Sequence, residues 1–197
     1  MRKFIHGLLA AGAAALMLAQ PVWAASDPGQ LVKSVTAQVT DIVKTKTGAT
    51  REAAFREVLR NNFDLPYMGR QALGAHWNEA SAQQRARFLA ALETAEARAY
   101  SERLGKLAEY TLTIDKVIAR ASGVWIVNAF LSKPSGQLIK LEWEVHDGGQ
   151  GPRIADVKVA GVSMSVTKRS EFNSYIQNSG GMVEPLVQQL EARAARR

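Results

Sequence analysis

The chain has no cysteine, and this absence removes several readings at once. Without a thiol there is no disulfide, no thiolate metal site, no cysteine nucleophile and no acylated cysteine to tether a lipoprotein. Histidine is scarce too. Of the three present, His6 lies near the N-terminus, and His76 and His146 stand far apart without an HxxH or HExxH context. A metal site in a cysteine-free chain needs clustered histidines and carboxylates, and the spacing supplies none. No apolar run beyond residue 24 is long enough to cross a bilayer. There is also no block of like charge. Lys and Arg alternate with acids along the chain, and only Arg193, Arg196 and Arg197 cluster. The formal charge of +7 suits work beside anionic phospholipid. Its scatter argues for a solvated face and against a nucleic-acid footprint.

What is present begins with a leader. Arg2 and Lys3 precede an apolar or small stretch from Phe4 to Ala19, Pro21 breaks it, and Val22-Trp23-Ala24 sets small residues before a processing point. The apolar part is shorter than the roughly 20 residues of a membrane span. This predicts a signal peptide over 1–24, removed on the general secretory route, and a single periplasmic domain over 25–197.

Periodicity then divides the chain. Asp27-Pro28 opens a helix whose apolar stripe is Val32, Val35, Val39, Ile42 and Val43, with Gly48 read as its end. Thr50 is read as the cap of a second helix, and Asp64 as the cap of a third from Leu65 to Leu73. Ser81-Ala-Gln-Gln84 is a capping box before the longest helix, to about Leu104, with Gly105 allowing a turn. From Tyr110 the period falls to two. Leu112 and Ile114 alternate with threonines, Val124 to Leu131 is nearly all apolar, and Ile139, Leu141, Trp143 and Val145 alternate with charges. Ile154 to Val159 makes a fourth strand, and two helices follow, about Val166 to Gln177 and from Val183 on. Short connections predict an antiparallel meander of about four strands with helices packed on one face, an α+β domain.

Catalytic constellations are not found. Gly161-Val-Ser-Met-Ser165 lacks the second glycine of a nucleophile elbow. Asp147-Gly-Gly-Gln-Gly joins two strands and opens no helix, so it cradles no phosphate. Glu142 and Glu144 share the strand face opposite Trp143 and point to solvent. What remains is apolar, and a filled core and a hollow one read alike in sequence.

A series of segments resembles the MlaC-type periplasmic lipid-binding family, also called the toluene-tolerance family. Phe63-Asp64 with Met68 resembles its F-D-x-x-x-M element. Leu73-Gly74, Trp77 and Ser81-Ala-Gln-Gln-Arg85 with Phe88 resemble L-G-x-x-W…S-x-x-Q-R-x-x-F, and Tyr100 falls where a tyrosine often stands. Asp156-Val-Lys-Val-Ala-Gly-Val-Ser163 is similar to D-V-x-V-x-G-V-S, and Arg169-Ser-Glu-Phe172, a glycine pair, Leu186 and Leu190 resemble the family's ending. Pro152-Arg-Ile-Ala-Asp156 lacks the usual tryptophan, and Thr167-Lys168-Arg169 departs from the usual aromatic-Arg pair. Both features look more like the hopanoid-associated branch, HpnM.

The resemblance implies an apolar cavity enclosed by sheet and helices and a carrier's role. The ligand would be a phospholipid or hopanoid, passed between an inner-membrane ABC or RND-type transporter and outer-membrane components. No cofactor, metal, nucleic acid or catalytic residue is implied. The expected lining is Leu112, Ile114, Ile126, Ile139, Leu141, Trp143, Val157 and Val159 from the strands. Val39, Leu65, Met68, Phe88, Leu92, Phe172 and Ile176 are expected from the helices. Arg70, Lys140 and Arg169 are the expected head-group or membrane contacts. Two readings compete: an α+β cone-like enzyme of isomerase or dehydratase type, and a structural envelope protein.

Overall fold

The structure, a computed structural model, describes residues 27–195 apart from Ser122 and Gln150; the signal segment 1–24 lies outside the described residues. Helix α1 (Pro28–Thr45) starts where its sequence directs. The Asp27 carboxylate accepts from the Gly29 N–H at 2.8 Å, and Pro28 occupies a first-turn position that needs no donor. The next boundary differs from the expectation. The break falls at Lys46-Thr47, in extended conformation, and Gly48 is the first residue of α2 (Gly48–Asn62), not the end of α1. Thr50 caps nothing; its hydroxyl donates to the Thr47 carbonyl at 2.7 Å. Both threonines are common near helix starts, and only the chain reversal decides which one lies outside the helix.

Asp64 caps α3 (Leu65–Leu73) through the Tyr67 N–H at 3.0 Å. A one-turn helix, α4 (His76–Glu79), follows. Both halves of the Ser81–Gln84 capping box form, and α5 (Ala82–Arg103) runs 22 residues. Instead of turning at Gly105, the chain winds on into a 3-10 helix, Leu104–Glu109. The meander is β1 (Thr111–Ala121), β2 (Val124–Ser132), β3 (Leu138–Asp147), β4 (Pro152–Val159) and β5 (Val162–Ser163). All neighbours are antiparallel in chain order, so a two-residue fifth strand extends the expected four. Helices α6 (Met164–Asn178) and α7 (Glu184–Ala195) close the chain.

The apolar interior falls into two clusters. One joins the buried stripe of α1, Phe55, Val58 and Leu59 of α2, and Ala97 of α5 to the strand residues Val127, Val145 and Ile154. The other lies among helices: Ala72 and Leu73, Phe88, Ala91 and Leu92, Phe172 and Ile176, Leu186, Val187 and Leu190. Gly69 of α3 packs closely against α5. A Cβ there would meet Leu89 Cδ2 at 2.3 Å and Phe88 Cε1 at 3.3 Å, so a side chain at this position would require the Leu89 methyl to move aside. Outside the apolar contacts, Arg87 of α5 ties down α7 through Glu184 and Glu191, at 2.8 and 2.7 Å.

Candidate functional site

Strand register decides which side chains meet. Leu112 pairs with Leu131 and Ile114 with Ala129; Leu131 pairs with Ile139, Ala129 with Leu141, Val127 with Trp143. On the far side Leu141 pairs with Val159 and Trp143 with Val157. Because directly paired residues share a face, Leu112, Ile114, Ile139, Leu141, Trp143, Val157 and Val159 form one apolar surface. Ile126 is a correction. Its partners are Ile118 and Glu144, which puts it on the opposite face. The run from Val124 to Leu131 is apolar on both parities, so its own period could not say which side turns inward.

Coverage of this surface is uneven along the strands. Val127, Val145 and Ile154 are fully buried beneath α1 and α2. Leu112, Ile114, Leu131, Ile139, Trp143 and Val157 are only half-buried although they belong to the inward face, and Val159 is exposed. Opposite them lie other half-buried apolar groups: Leu65, Tyr100, and Leu104, Leu107 and Ala108 of the 3-10 helix. Close packing fills an ordinary core to crystal-like density. Here the inward surface is unevenly buried: Ala129 and Leu141 are buried within it, while Leu112, Ile114, Ile139, Trp143 and Val157 around them are half-buried.

Two polar groups border this apolar space. The Trp143 indole Nε1 is buried without a hydrogen-bond partner, an arrangement that costs on the order of 1–3 kcal/mol while it stays unmet. The phenol of Tyr100 is held well above its ordinary range, first by burial and then by the neighbouring Glu96 carboxylate. Tyr100 is therefore a neutral donor at any physiological pH. Glu96 itself is held by Lys168 of α6 at 2.8 Å, which joins α5 to α6 beside the cleft.

The remaining expected residues are placed as follows. Val39 and Leu65 join the sheet cluster. Phe88, Leu92, Phe172 and Ile176 belong to the helical cluster, where the rings of Phe88 and Phe172 meet edge to face at 5.7 Å. The structure does not bring these four to the sheet surface. Met68 is half-buried on α3 and joins neither cluster. Arg70 and Lys140 are exposed. Arg169 is also exposed, but its guanidinium donates to the Gln71 carbonyl and side chain at 2.7 and 2.9 Å, pinning α6 to α3. Glu142 and Glu144 lie on the outward face, half-buried and paired with Lys158 and His146. Among the described residues, no three His, Asp or Glu side chains gather as metal ligands would.

Leu104 is legible as the end of the long helix, but Leu107 and Ala108 are not, because six residues of 3-10 helix show no helical period and the glycine within them suggests a turn. Trp125 was visible only as part of a uniformly apolar run.

Residues 32–192 match the family described as MlaC protein. Among curated proteins none matches the chain. A solved structure with a similar fold is the phospholipid-binding protein from Ralstonia solanacearum, in complex with a phospholipid. It aligns with a TM-score of 0.71 at 20% identity, over 86% of this chain and 98% of that one. At that identity the likeness speaks for the fold alone.

Proposed function

The chain belongs to the MlaC protein family, and from that membership we propose that it is a non-enzymatic periplasmic carrier that holds the acyl chains of a phospholipid in the cleft between sheet and helices. Residues 1–24 act as the leader, and 25–197 work as one lipid-binding domain. The observation that carries this reading is the inward apolar surface of β1, β3 and β4, left half-covered where a filled core would bury it. The phospholipid bound by the Ralstonia solanacearum protein of similar fold supports the choice of ligand.

The energetics suit a carrier. Each methylene removed from water is worth roughly 0.8 kcal/mol, so a two-tailed lipid cannot leave a bilayer at a useful rate unless an apolar lining replaces what it loses. Leu112, Ile114, Ile139, Leu141, Trp143, Val157 and Val159 form that lining, with Val39, Leu65 and Tyr100 facing them. The Trp143 N–H, lacking a protein acceptor, donates to an ester carbonyl of the ligand. The exposed Lys140 meets the head group, and the bound lipid passes between inner-membrane ABC or RND-type components and outer-membrane ones. A second reading keeps the cleft and changes its cargo. The chain lacks the tryptophan before Asp156 and has Thr167-Lys168 before Arg169, which favours a hopanoid.

Native mass spectrometry with lipid extraction of the purified protein tests both. A co-purified glycerophospholipid supports the first reading and a triterpenoid the second. Repeated preparations free of any lipid overturn the carrier altogether.

A further inference from the structure

We propose that the tip of the β4–β5 hairpin inserts into the surface of an anionic phospholipid bilayer and seats the protein there. The tip is Val159-Ala160-Gly161-Val162, in which Val159 pairs with Val162 across a two-residue turn. Ala160 and Gly161 have φ of 51° and 85°, the mirror-image turn that follows strand twist and usually carries Asn, Asp or Gly at its first position. Ala160 is the one non-glycine residue with positive φ among those described. A polar residue would relieve that strain. Alanine leaves the tip without a single polar side chain, and unusual backbone held at an exposed point is a pointer to function.

The surroundings of the tip point the same way. Val159 is 37% exposed, Val162 56%, Val166 in the first turn of α6 56%, and Leu138 on the neighbouring strand 64%. Single exposed apolar residues are ordinary. Val159 and Val162 share one face of the tip, Val166 follows in the first turn of α6, and with no carboxylate in the four tip residues they make an interfacial surface. Lys140 lies beside the tip, its carbonyl accepting from the Ala160 N–H at 2.9 Å and its side chain exposed. The nearest acids are engaged: Glu142 with Lys158, and Asp156 with Ser163 and Ser165. With 23 Lys and Arg against 18 Asp and Glu over residues 25–197, a formal charge of +5, this corner is complementary to an anionic surface and not to a neutral one. Val159 also pairs with Leu141 of the inward face, so insertion of the tip brings the end of the apolar sheet surface to the bilayer. The inference rests on the carrier reading only for the purpose of the seating, and the two are measured separately.

The test uses the purified mature protein with vesicles of phosphatidylethanolamine and phosphatidylglycerol, and with phosphatidylcholine vesicles. Cosedimentation with the anionic vesicles is expected, and replacing Val162→Asp and Val166→Asp together should lower the bound fraction at least about fivefold, with lipid content on extraction unchanged. Because the chain has no cysteine, Val162→Cys can carry a single environment-sensitive fluorophore. Its emission should shift to the blue on anionic vesicles, while the same probe at Ala37→Cys on the exposed side of α1 should not respond. A Val162 probe that stays in water, or a double-aspartate variant that binds like the parent, overturns the proposal. So does a tip shielded only by a membrane protein and never by lipid, which makes it a protein contact. A wild-type protein that binds vesicles but extracts without lipid refutes the carrier reading and leaves this one standing.

Discussion

The Asp156 carboxylate accepts from the Ser163 hydroxyl at 2.5 Å and from the Ser165 N–H at 3.0 Å, while the Ser163 oxygen accepts from the Val166 N–H at 3.1 Å. One buried acid thus fixes the end of β4 to the start of α6. Asp156→Ala strands the Ser165 N–H and should lower stability by about 1–3 kcal/mol, read by chemical denaturation. His76 is buried, with Nδ1 2.7 Å from Glu79 and Nε2 3.0 Å from Asn173 Oδ1. Two acceptors suit the doubly protonated ring, and its pKa is raised above 6.5, first by the bond to Glu79 and then by that to Asn173. A histidine raised in the folded state adds stability that is fully present below its unfolded pKa and is lost as pH climbs through the folded value. Melting temperature should therefore fall as pH rises from about 6.5, and His76→Gln should flatten that slope. If the proposed lining holds acyl chains, Trp143→Asp sets a carboxylate against them and should reduce co-purified lipid several-fold, whereas Trp143→Phe removes only the N–H and should reduce it less. Equal lipid in a folded Trp143→Asp protein would mean that the ligand lies elsewhere.

Among the elements, α5 and the β4–β5 hairpin are the most sensitive to local change. Ser81→Ala removes half of the capping box and should cost about 1 kcal/mol. The hairpin runs the other way: Ala160→Asn suits positive φ and should add up to about 1 kcal/mol, seen as a higher melting temperature, while making the tip polar. The Arg87 pairs with Glu184 and Glu191 span α5 and α7 but remain about one-third exposed. Solvent screening keeps such bridges weak, so the apolar contacts of Leu186, Val187 and Leu190 hold α7 in place.

At the level of the whole molecule, two interiors divide the work. The helical cluster is closed by its own side chains: Phe88 and Ile176 are fully buried and Phe172 nearly so. The sheet cluster has a buried centre in Val127, Val145 and Ile154, with half-buried apolar neighbours such as Leu112, Trp143 and Val157. A ligand that completes the second interior binds the folded state and raises its stability by mass action. Delipidated protein should melt at a lower temperature than protein as purified, and adding lipid back should restore the difference.

The caps at Asp27, Asp64 and Ser81, the buried stripe of α1 and the alternation of β3 were legible in the sequence, because each depends on residues within a few positions of one another. The α+β class and the meander followed from the same local periods. The inward parity of β2 was not legible: a strand apolar on both sides carries no period, and only pairing with β3 places the buried Ile126 on the opposite face from Leu141 and Trp143. Nor was the division of the apolar residues. Phe88 and Phe172 on one side, and Leu112 and Trp143 on the other, share the same hydrophobicity, and nothing local records which of them meets a neighbour and which meets open space. Local patterning determined the elements and their faces. Only the folded arrangement decided which residues of those faces are buried and which stay half-covered, since burial depends on contacts between residues far apart in the chain.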